Sequence, residues 1–382
     1  MNKKILTALG LMTGTSMDGV DLSIVKSDGY NEFHCIFNEY YEFNKELRLK
    51  LINLRSKFKS KNDLLVLKDD IDDLEREFTL YNGQIVNNLS KDKKKEIDLV
   101  GFHGQTIYHN SREKISKQLG NGKLLSQITK KIIINNFRKN DIENGGQGAP
   151  LSPIFHELIS KKIFESHKIK FPIIILNIGG ISNITIINFD NHNKKTQFYA
   201  YDIGPGNCLI DEWMKKNKSK SFDLGGNISK SGNVDKLILN QIVDNFEIKS
   251  YDKSLDISEF DLSFAKGLSL EDGGATITKF TAYLIAKGID KLSKLNNLLP
   301  KQIFVCGGGR KNIFLIDSIS EFLSNKNLKI DNIDDFNYDG DFIESQAFGY
   351  LAIRSFLGLP ISFPNTTRCK KPLTGGTLIK NF

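Results

Sequence analysis

Between the apolar runs Ile5–Leu9 and Val20–Val25 lies the segment Gly10-Leu-Met-Thr-Gly-Thr-Ser-Met-Asp-Gly-Val-Asp21. Thr13, Thr15 and Ser16 bring hydroxyls into it, and Asp18 and Asp21 bring carboxylates. Gly14 and Gly19 remove side-chain bulk and permit positive φ, so backbone N–H groups can come close to a polyphosphate. An aspartate in such a turn can hold a metal-bound water. No lysine lies within the segment, which excludes a Walker A loop. Ser16 lacks a Gly-x-Ser-x-Gly setting, so a hydrolase nucleophile is not indicated. Taken alone, the turn reads equally well as a polar hairpin. Similar turns recur, however, at Gly179-Gly180, at Gly204-Pro205-Gly206 and at Gly307-Gly308-Gly309, each after an apolar run.

Apolar runs and helical periods predict the elements that carry these turns. The first segment reads strand, turn, strand, then a third strand near Phe33–Glu42. A helical region follows from Asn44 to about Ser90, with Leu47, Leu51, Leu54 and Phe58 on one face and Leu67, Ile71, Leu74, Phe78, Tyr81 and Ile85 in the same period. Ile97–Phe102 and Lys131–Asn135 read as short buried strands. Asn144–Pro150 is rich in glycine and reads as a loop and candidate domain boundary, with a helix from Ser152 to about Phe164 behind it. The second half repeats the layout: strand Ile173–Asn177, a Gly and hydroxyl turn, strand Ile184–Phe189, a further strand at Phe198–Tyr201, a helix from near Cys208, and strand Ile303–Cys306. Two such halves predict a duplicated α/β architecture with a cleft, a favoured place for ligands.

Composition bounds the alternatives. A chain of 382 residues suggests two domains, and 40% hydrophobic content supports globular packing. No apolar run reaches the ~18–20 residues of a membrane span. The basic start Met1-Asn2-Lys3-Lys4 is not followed by a signal-peptide cleavage pattern. Cys35, Cys208, Cys306 and Cys369 form no CxxC pair, which fits reduced thiols in a cytosol. The six histidines show no zinc-ligand spacing. The net charge of +8 is spread over dispersed lysines, with runs only at Lys91–Lys95 and Lys215–Lys220 and no aromatic residues between them. That pattern reads as solvated surface rather than a nucleic-acid groove, and it can help steer an anionic nucleotide.

Seven motifs stand in order along the chain: Gly10–Asp21, Gly101-Phe-His-Gly-Gln-Thr106, Asn136-Phe-Arg138 with Asp141, Gly145-Gly-Gln-Gly-Ala-Pro150, Asn177–Asn183, Asp202–Asn207 and Cys306–Gly309. Together they closely resemble the anhydro-N-acetylmuramic acid kinases, over nearly the whole chain. The resemblance implies the actin, sugar kinase and Hsp70 superfold: two ribonuclease-H-like α/β domains with an ATP cleft between them. Residues 1–140 with about 355–382 are expected to form the first domain and 141–354 the second. It further implies an ATP- and Mg2+-dependent reaction in the cytosol, serving peptidoglycan recycling and amino sugar catabolism. The 1,6-anhydro ring of 1,6-anhydro-N-acetylmuramic acid is opened by water and the freed O6 is phosphorylated. A homodimer is implied, with no nucleic-acid or membrane partner.

Asp202 is the expected base for the attacking water, placed where a strand meets the Gly-Pro-Gly turn. The alternative is a helix cap before Cys208, but Asn207 is better placed for that. By resemblance, Gly14, Thr15, Ser16, Met17, Asp18, Gly19, Val20 and Asp21 bind the ATP phosphates, with Asp18 near the Mg2+ waters. Gly179 and Gly180 form a second phosphate clasp, and Gly307, Gly308 and Gly309 let backbone lie against adenosine. Arg138 is the expected partner of the sugar's lactyl carboxylate, because a guanidinium can bind it in bidentate fashion. For Lys139, just after it, a surface ion pair is an equal alternative. His103 and Gln105 are expected sugar contacts, and Glu344 matches a position near the sugar or else acts as a first-turn charge on its helix. Two other classes remain open at this stage: an actin- or Hsp70-like ATP-driven binding protein, and a glycoside hydrolase using Asp202 and Glu344 as its carboxylate pair.

Overall fold

A computed structural model describes residues 4–167, 169–190, 192–193, 195–217, 220–255 and 257–382. Met1 to Lys3 of the basic start and Lys218 of the second lysine run lie outside the described residues. The chain divides into two compact units, Met1–Leu158 with Phe342–Phe382, and Ile159–Asp341.

Unit 1 begins with β1 (Leu6–Met12), β2 (Gly19–Ser27) and β3 (Phe33–Glu42), and continues with β4 (Leu99–Phe102), β5 (Gln105–Asn110), β6 (Ile115–Leu119) and β7 (Ile132–Asn135). Unit 2 holds β8 (Ile173–Ile178), β9 (Ile181–Asp190), β10 (Lys195–Pro205), β11 (Gln302–Cys306) and β12 (Lys329–Asn332); the chain then returns to unit 1 for β13 (Thr377–Ile379). The sheet orders are β13-β7-β4-β1-β2-β3 and β10-β9-β8-β11-β12. In both, three antiparallel strands come first and the first of them then pairs in parallel with a later strand. That shared order bears out the duplicated α/β layout and is the ribonuclease-H-like topology that the family resemblance implies. The first and fourth strands are almost wholly apolar, Thr7 excepted, as suits strands covered on both faces: all seven residues of β1 and all four of β4 are buried.

The helical region splits as its periods change phase. Asn44 caps the helix Lys45–Lys57 by accepting the Leu47 N–H at 2.8 Å, and Leu47, Leu51 and Leu54 are buried against the sheet. A second long helix, Lys68–Asn88, buries Ile71, Leu74, Phe78 and Ile85. The β5–β6 hairpin and the helix Leu270–Leu295 carry no strong sequence punctuation and were not expected. No helix among the described residues is long and apolar enough to cross a membrane.

The expected domain boundaries need correction. The helix Ile343–Phe356 belongs to unit 1, so residues 342–354 do not lie in the second unit. Glycines bring it against the sheet: a Cβ on Gly10 would stand 2.0 Å from the Ser345 carbonyl oxygen, and one on Gly101 2.4 Å from that of Phe348. Gly10 and Gly101 are therefore packing residues. The stretch Asn144–Pro150 is also internal to unit 1 rather than a boundary. Asp141 pins it, accepting the Gly148 N–H at 2.7 Å and the Thr367 hydroxyl at 2.6 Å.

Candidate active site

The unit 1 turn is a hairpin loop held by its own side chains. β1 and β2 pair antiparallel up to Met12 opposite Asp21. Met17 adopts a left-handed φ of 52° and sends its side chain into the core, where Val20 is also buried. These two expected phosphate residues thus offer backbone alone. Gly19 answers to β3, since a Cβ there would meet the Tyr41 carbonyl oxygen at 2.4 Å. Ser16 donates its hydroxyl to Asp18 Oδ1 at 2.7 Å, which fixes that carboxylate beside the exposed tip of the loop.

In unit 2 two turns lock together. Asn207 N–H donates to the Gly179 carbonyl at 2.7 Å, and Gly206 N–H donates to the Gly180 carbonyl at 2.9 Å. A trans peptide points its N–H opposite to its carbonyl, so the Gly180 N–H faces away from these bonds. Asp202 lies inside β10 opposite Asn183, at a register shift between Asp202 and Gly204. The strand runs on through Pro205, so a β-bulge rather than a turn after the strand sets the direction of this carboxylate, a common device beside active sites. Its Oδ2 accepts the Leu255 N–H at 2.9 Å. The helix Cys208–Lys216 starts well beyond it, and Asn207, its N-cap residue, makes no side-chain capping bond.

Glycines at the expected nucleotide positions fall into two groups. Gly307 has φ 78°, and a Cβ there would meet Asn177 Oδ1 at 2.3 Å and the Ile178 carbonyl oxygen at 2.7 Å. Gly309 would clash with Ile178 Cγ2 at 2.2 Å. By contrast, a Cβ on Gly14 or Gly179 would find no atom within 3.5 Å, the nearest lying at 3.6 Å, and one on Gly308 would find its nearest at 3.9 Å. None of these three is among the positive-φ glycines. The protein's own atoms leave these three positions open, and a bound nucleotide is a group that fits such a cradle. Gly14→Ala and Gly308→Ala are accordingly expected to keep stability within about 0.5 kcal/mol while weakening ATP binding roughly 10-fold. Gly307→Ala is expected to cost on the order of 2 kcal/mol of stability. Urea unfolding and nucleotide titration of the three variants check this; a Gly307→Ala protein as stable as the wild type contradicts the division.

Arg310 was missed from sequence, although it directly follows the glycine triplet. Its side chain is buried and donates to the Gly307 carbonyl at 3.1 Å, to Asp341 at 2.5 Å and to Asp334 at 3.0 Å. Burial pushes the Asp341 carboxyl up, but the bonds from Arg310 and Lys311 hold it below the ordinary carboxylate range. The hub fixes the carbonyl side of the triplet.

His103, Arg138 and Glu344 come together in unit 1, although Glu344 was expected in the second domain. His103 follows β4 and stacks on Phe348 with ring centroids 4.4 Å apart. Its Nδ1–H donates to the Gly104 carbonyl at 2.8 Å, which leaves Nε2 to accept from Arg138 Nη2 at 3.0 Å. Arg138 Nη1 also donates to the Gly148 carbonyl at 3.3 Å. Both nitrogens of His103 are thus engaged within the protein. Burial raises the Glu344 carboxyl above its usual range, and the charge of Arg138 opposes that. Lys139 stands apart, 3.9 Å from Glu143, beside a polar recess lined by Asn136, Asn140 and Thr374. Gln105 is fully buried and turned elsewhere, its Nε2 donating to the Gly14 carbonyl at 3.3 Å and to that of Thr106 at 3.2 Å.

Two buried histidines of unit 1 make its stability depend on pH. Burial, with the charge of Arg138 added, holds His103 well below the ordinary imidazole range, and burial alone takes His156 down to about 3. Both are neutral when folded, whereas the unfolded chain binds protons at these sites below about pH 6.5. Their contribution is full above that pH and falls as the pH drops. Urea unfolding at descending pH is expected to show the loss between neutrality and pH 5; a flat profile contradicts it.

Comparison with known proteins agrees with the motif order. The family model for anhydro-N-acetylmuramic acid kinase matches residues 6–381. An anhydro-N-acetylmuramic acid kinase of Pelagibacter ubique is 50% identical over 384 residues, covering 100% of both chains. Those of Brucella canis and Rhodospirillum rubrum are each 34% identical, over 98% of both chains and over 97% and 93% respectively. The chain belongs to the anhydro-N-acetylmuramic acid kinase family.

Proposed function

We propose that this chain converts 1,6-anhydro-N-acetylmuramic acid, water and ATP into N-acetylmuramic acid 6-phosphate and ADP, as a cytosolic step in the recycling of peptidoglycan. The observation that carries the reading is the match of the whole chain to this kinase family. It does not favour an ATP-driven binding protein.

Asp202 takes a proton from the water that attacks C1, and its bulge and the Leu255 N–H hold it still for that purpose. As the water oxygen bonds to C1, the C1–O6 bond breaks and its electron pair stays on O6. O6 then forms its bond to the γ-phosphorus, and the bond to the β,γ-bridging oxygen breaks to release ADP. ATP is the donor of that phosphoryl group; Asp18 would hold a Mg2+ ion through its waters, and the ion would supply neutralisation of phosphate charge. The open edges at Gly14 and Gly179 would face phosphates and that at Gly308 the adenosine. Arg138 would meet the lactyl carboxylate, with His103 holding the guanidinium rather than touching the sugar. Glu344, which feels the charge of Arg138, would face the sugar with it.

Mass spectrometry of the product formed in oxygen-18 water tests this. The expected product is a phosphorylated sugar with label at C1, read at once after quenching, and none in the phosphate. Label in the phosphate excludes the mechanism, and turnover without ATP turns the reading toward a glycoside hydrolase.

A further inference from the structure

Two side chains bond to carbonyls of the unit 1 turn in ways the family motifs do not announce. Arg55, in the last turn of the helix Lys45–Lys57, donates from Nη1 to the Thr15 carbonyl at 3.0 Å. Gln105 donates from Nε2 to the Gly14 carbonyl at 3.3 Å. The two carbonyls belong to consecutive peptides, whose N–H groups are those of Thr15 and Ser16. The Gly14 carbonyl also accepts the Met17 N–H at 3.3 Å. Because each peptide is trans and planar, fixing its carbonyl directs its own N–H the opposite way. Among the described residues neither N–H donates to any acceptor. Unit 2 solves the same problem with backbone alone, where Asn207 and Gly206 hold the carbonyls of Gly179 and Gly180.

We propose that Arg55 and Gln105 are positioning residues for the nucleotide phosphates, acting through the Gly14–Thr15 and Thr15–Ser16 peptides. The proposal rests on the kinase reading above. It gives the turn two held N–H donors of the kind that cradle phosphate oxygens, with the Met17 plug fixing the far end of the loop. It also leaves a positive charge on the carbonyl side of the Thr15–Ser16 peptide, which polarises that peptide's N–H: Arg55 makes no ion pair among the described residues. Gln105 is thereby reassigned from the sugar to the phosphate turn. A bland alternative for Arg55 is a favourable charge at a helix C-terminus, which would affect stability and not ligand affinity.

The experiment compares wild type, Arg55→Ala, Arg55→Lys and Gln105→Met. Binding of Mg2+ with ADP, and with a non-hydrolysable ATP analogue, is measured by calorimetry, alongside the KM for the anhydrosugar. Arg55→Ala and Gln105→Met are expected to weaken analogue binding about 10-fold, the loss from one hydrogen bond of this kind. Arg55→Lys should recover part of it, and the sugar KM should stay within about 2-fold. Unchanged nucleotide affinity in Arg55→Ala overturns the proposal, as does a rise in sugar KM with unchanged nucleotide affinity in Gln105→Met. Should the wild type fail to turn over the anhydrosugar, the kinase reading falls, while the binding data still decide whether these side chains set the turn.

Discussion

Replacing Asp202 by Asn is expected to lower kcat by roughly 10²- to 10⁴-fold, the range that a positioned general base contributes. The fold should survive, because the amide oxygen of Asn can still accept the Leu255 N–H that Asp202 Oδ2 now receives at 2.9 Å. The bulge that aims the residue is a backbone feature between Asp202 and Gly204 and does not depend on the carboxylate. Binding of ATP and of the sugar should therefore change little, so that the loss falls on turnover. Asp202→Glu keeps the charge but moves it by one methylene, and it should also lose most of the rate, since a misplacement of about 1 Å can cost 10²-fold. Steady-state kinetics, with circular dichroism to verify folding, check both variants. An Asp202→Asn enzyme running near the wild-type rate would remove this residue from the base role, and attention would shift to Glu344, whose carboxyl burial raises.

The second large effect is expected at Arg138. Two of its nitrogens are spent on His103 Nε2 at 3.0 Å and the Gly148 carbonyl at 3.3 Å, so the fork is oriented before any ligand arrives. Arg138→Ala should raise the KM for the anhydrosugar by roughly 10- to 100-fold, in keeping with loss of hydrogen bonds to a charged group. Arg138→Lys retains a cation but cannot make both protein anchors and a bidentate contact, so it should recover only part of the loss. Affinity for ATP should be nearly unaffected in both. His103→Gln provides the finer test: if His103 acts by holding the guanidinium, this variant should move the sugar KM in the same direction as Arg138→Lys, and adding it to Arg138→Ala should cost little more. Equal losses for ATP and sugar would show that Arg138 supports the unit as a whole instead.

Much of this protein was legible in its sequence, for identifiable reasons. Apolar runs bounded by glycine turns gave the central strands, because a strand covered on both faces is apolar along nearly all its length, as β1 and β4 are. The repeat of that layout gave the duplicated α/β class, and Arg138, His103 and Glu344 were expected on one ligand and are found together. Motif order also led to the family that the whole-chain match shows.

Tertiary structure decided what local pattern does not encode. The domain boundary moved because the helix Ile343–Phe356 docks through Gly10 and Gly101, a contact between residues more than three hundred positions apart for Gly10. Only packing separates Gly307 and Gly309, which the protein's own atoms require, from Gly14, Gly179 and Gly308, which they do not. Met17 reads as part of a polar loop, yet its buried side chain anchors that loop to the core. Arg55, Gln105 and Arg310 act on carbonyls distant in sequence or hidden in a turn, and no spacing announces such a bond. Sequence thus determined which residue types stand at strand ends, since periodicity and turn chemistry are local; the fold alone determined which way each peptide and carboxylate faces, since that depends on what long-range packing brings against it.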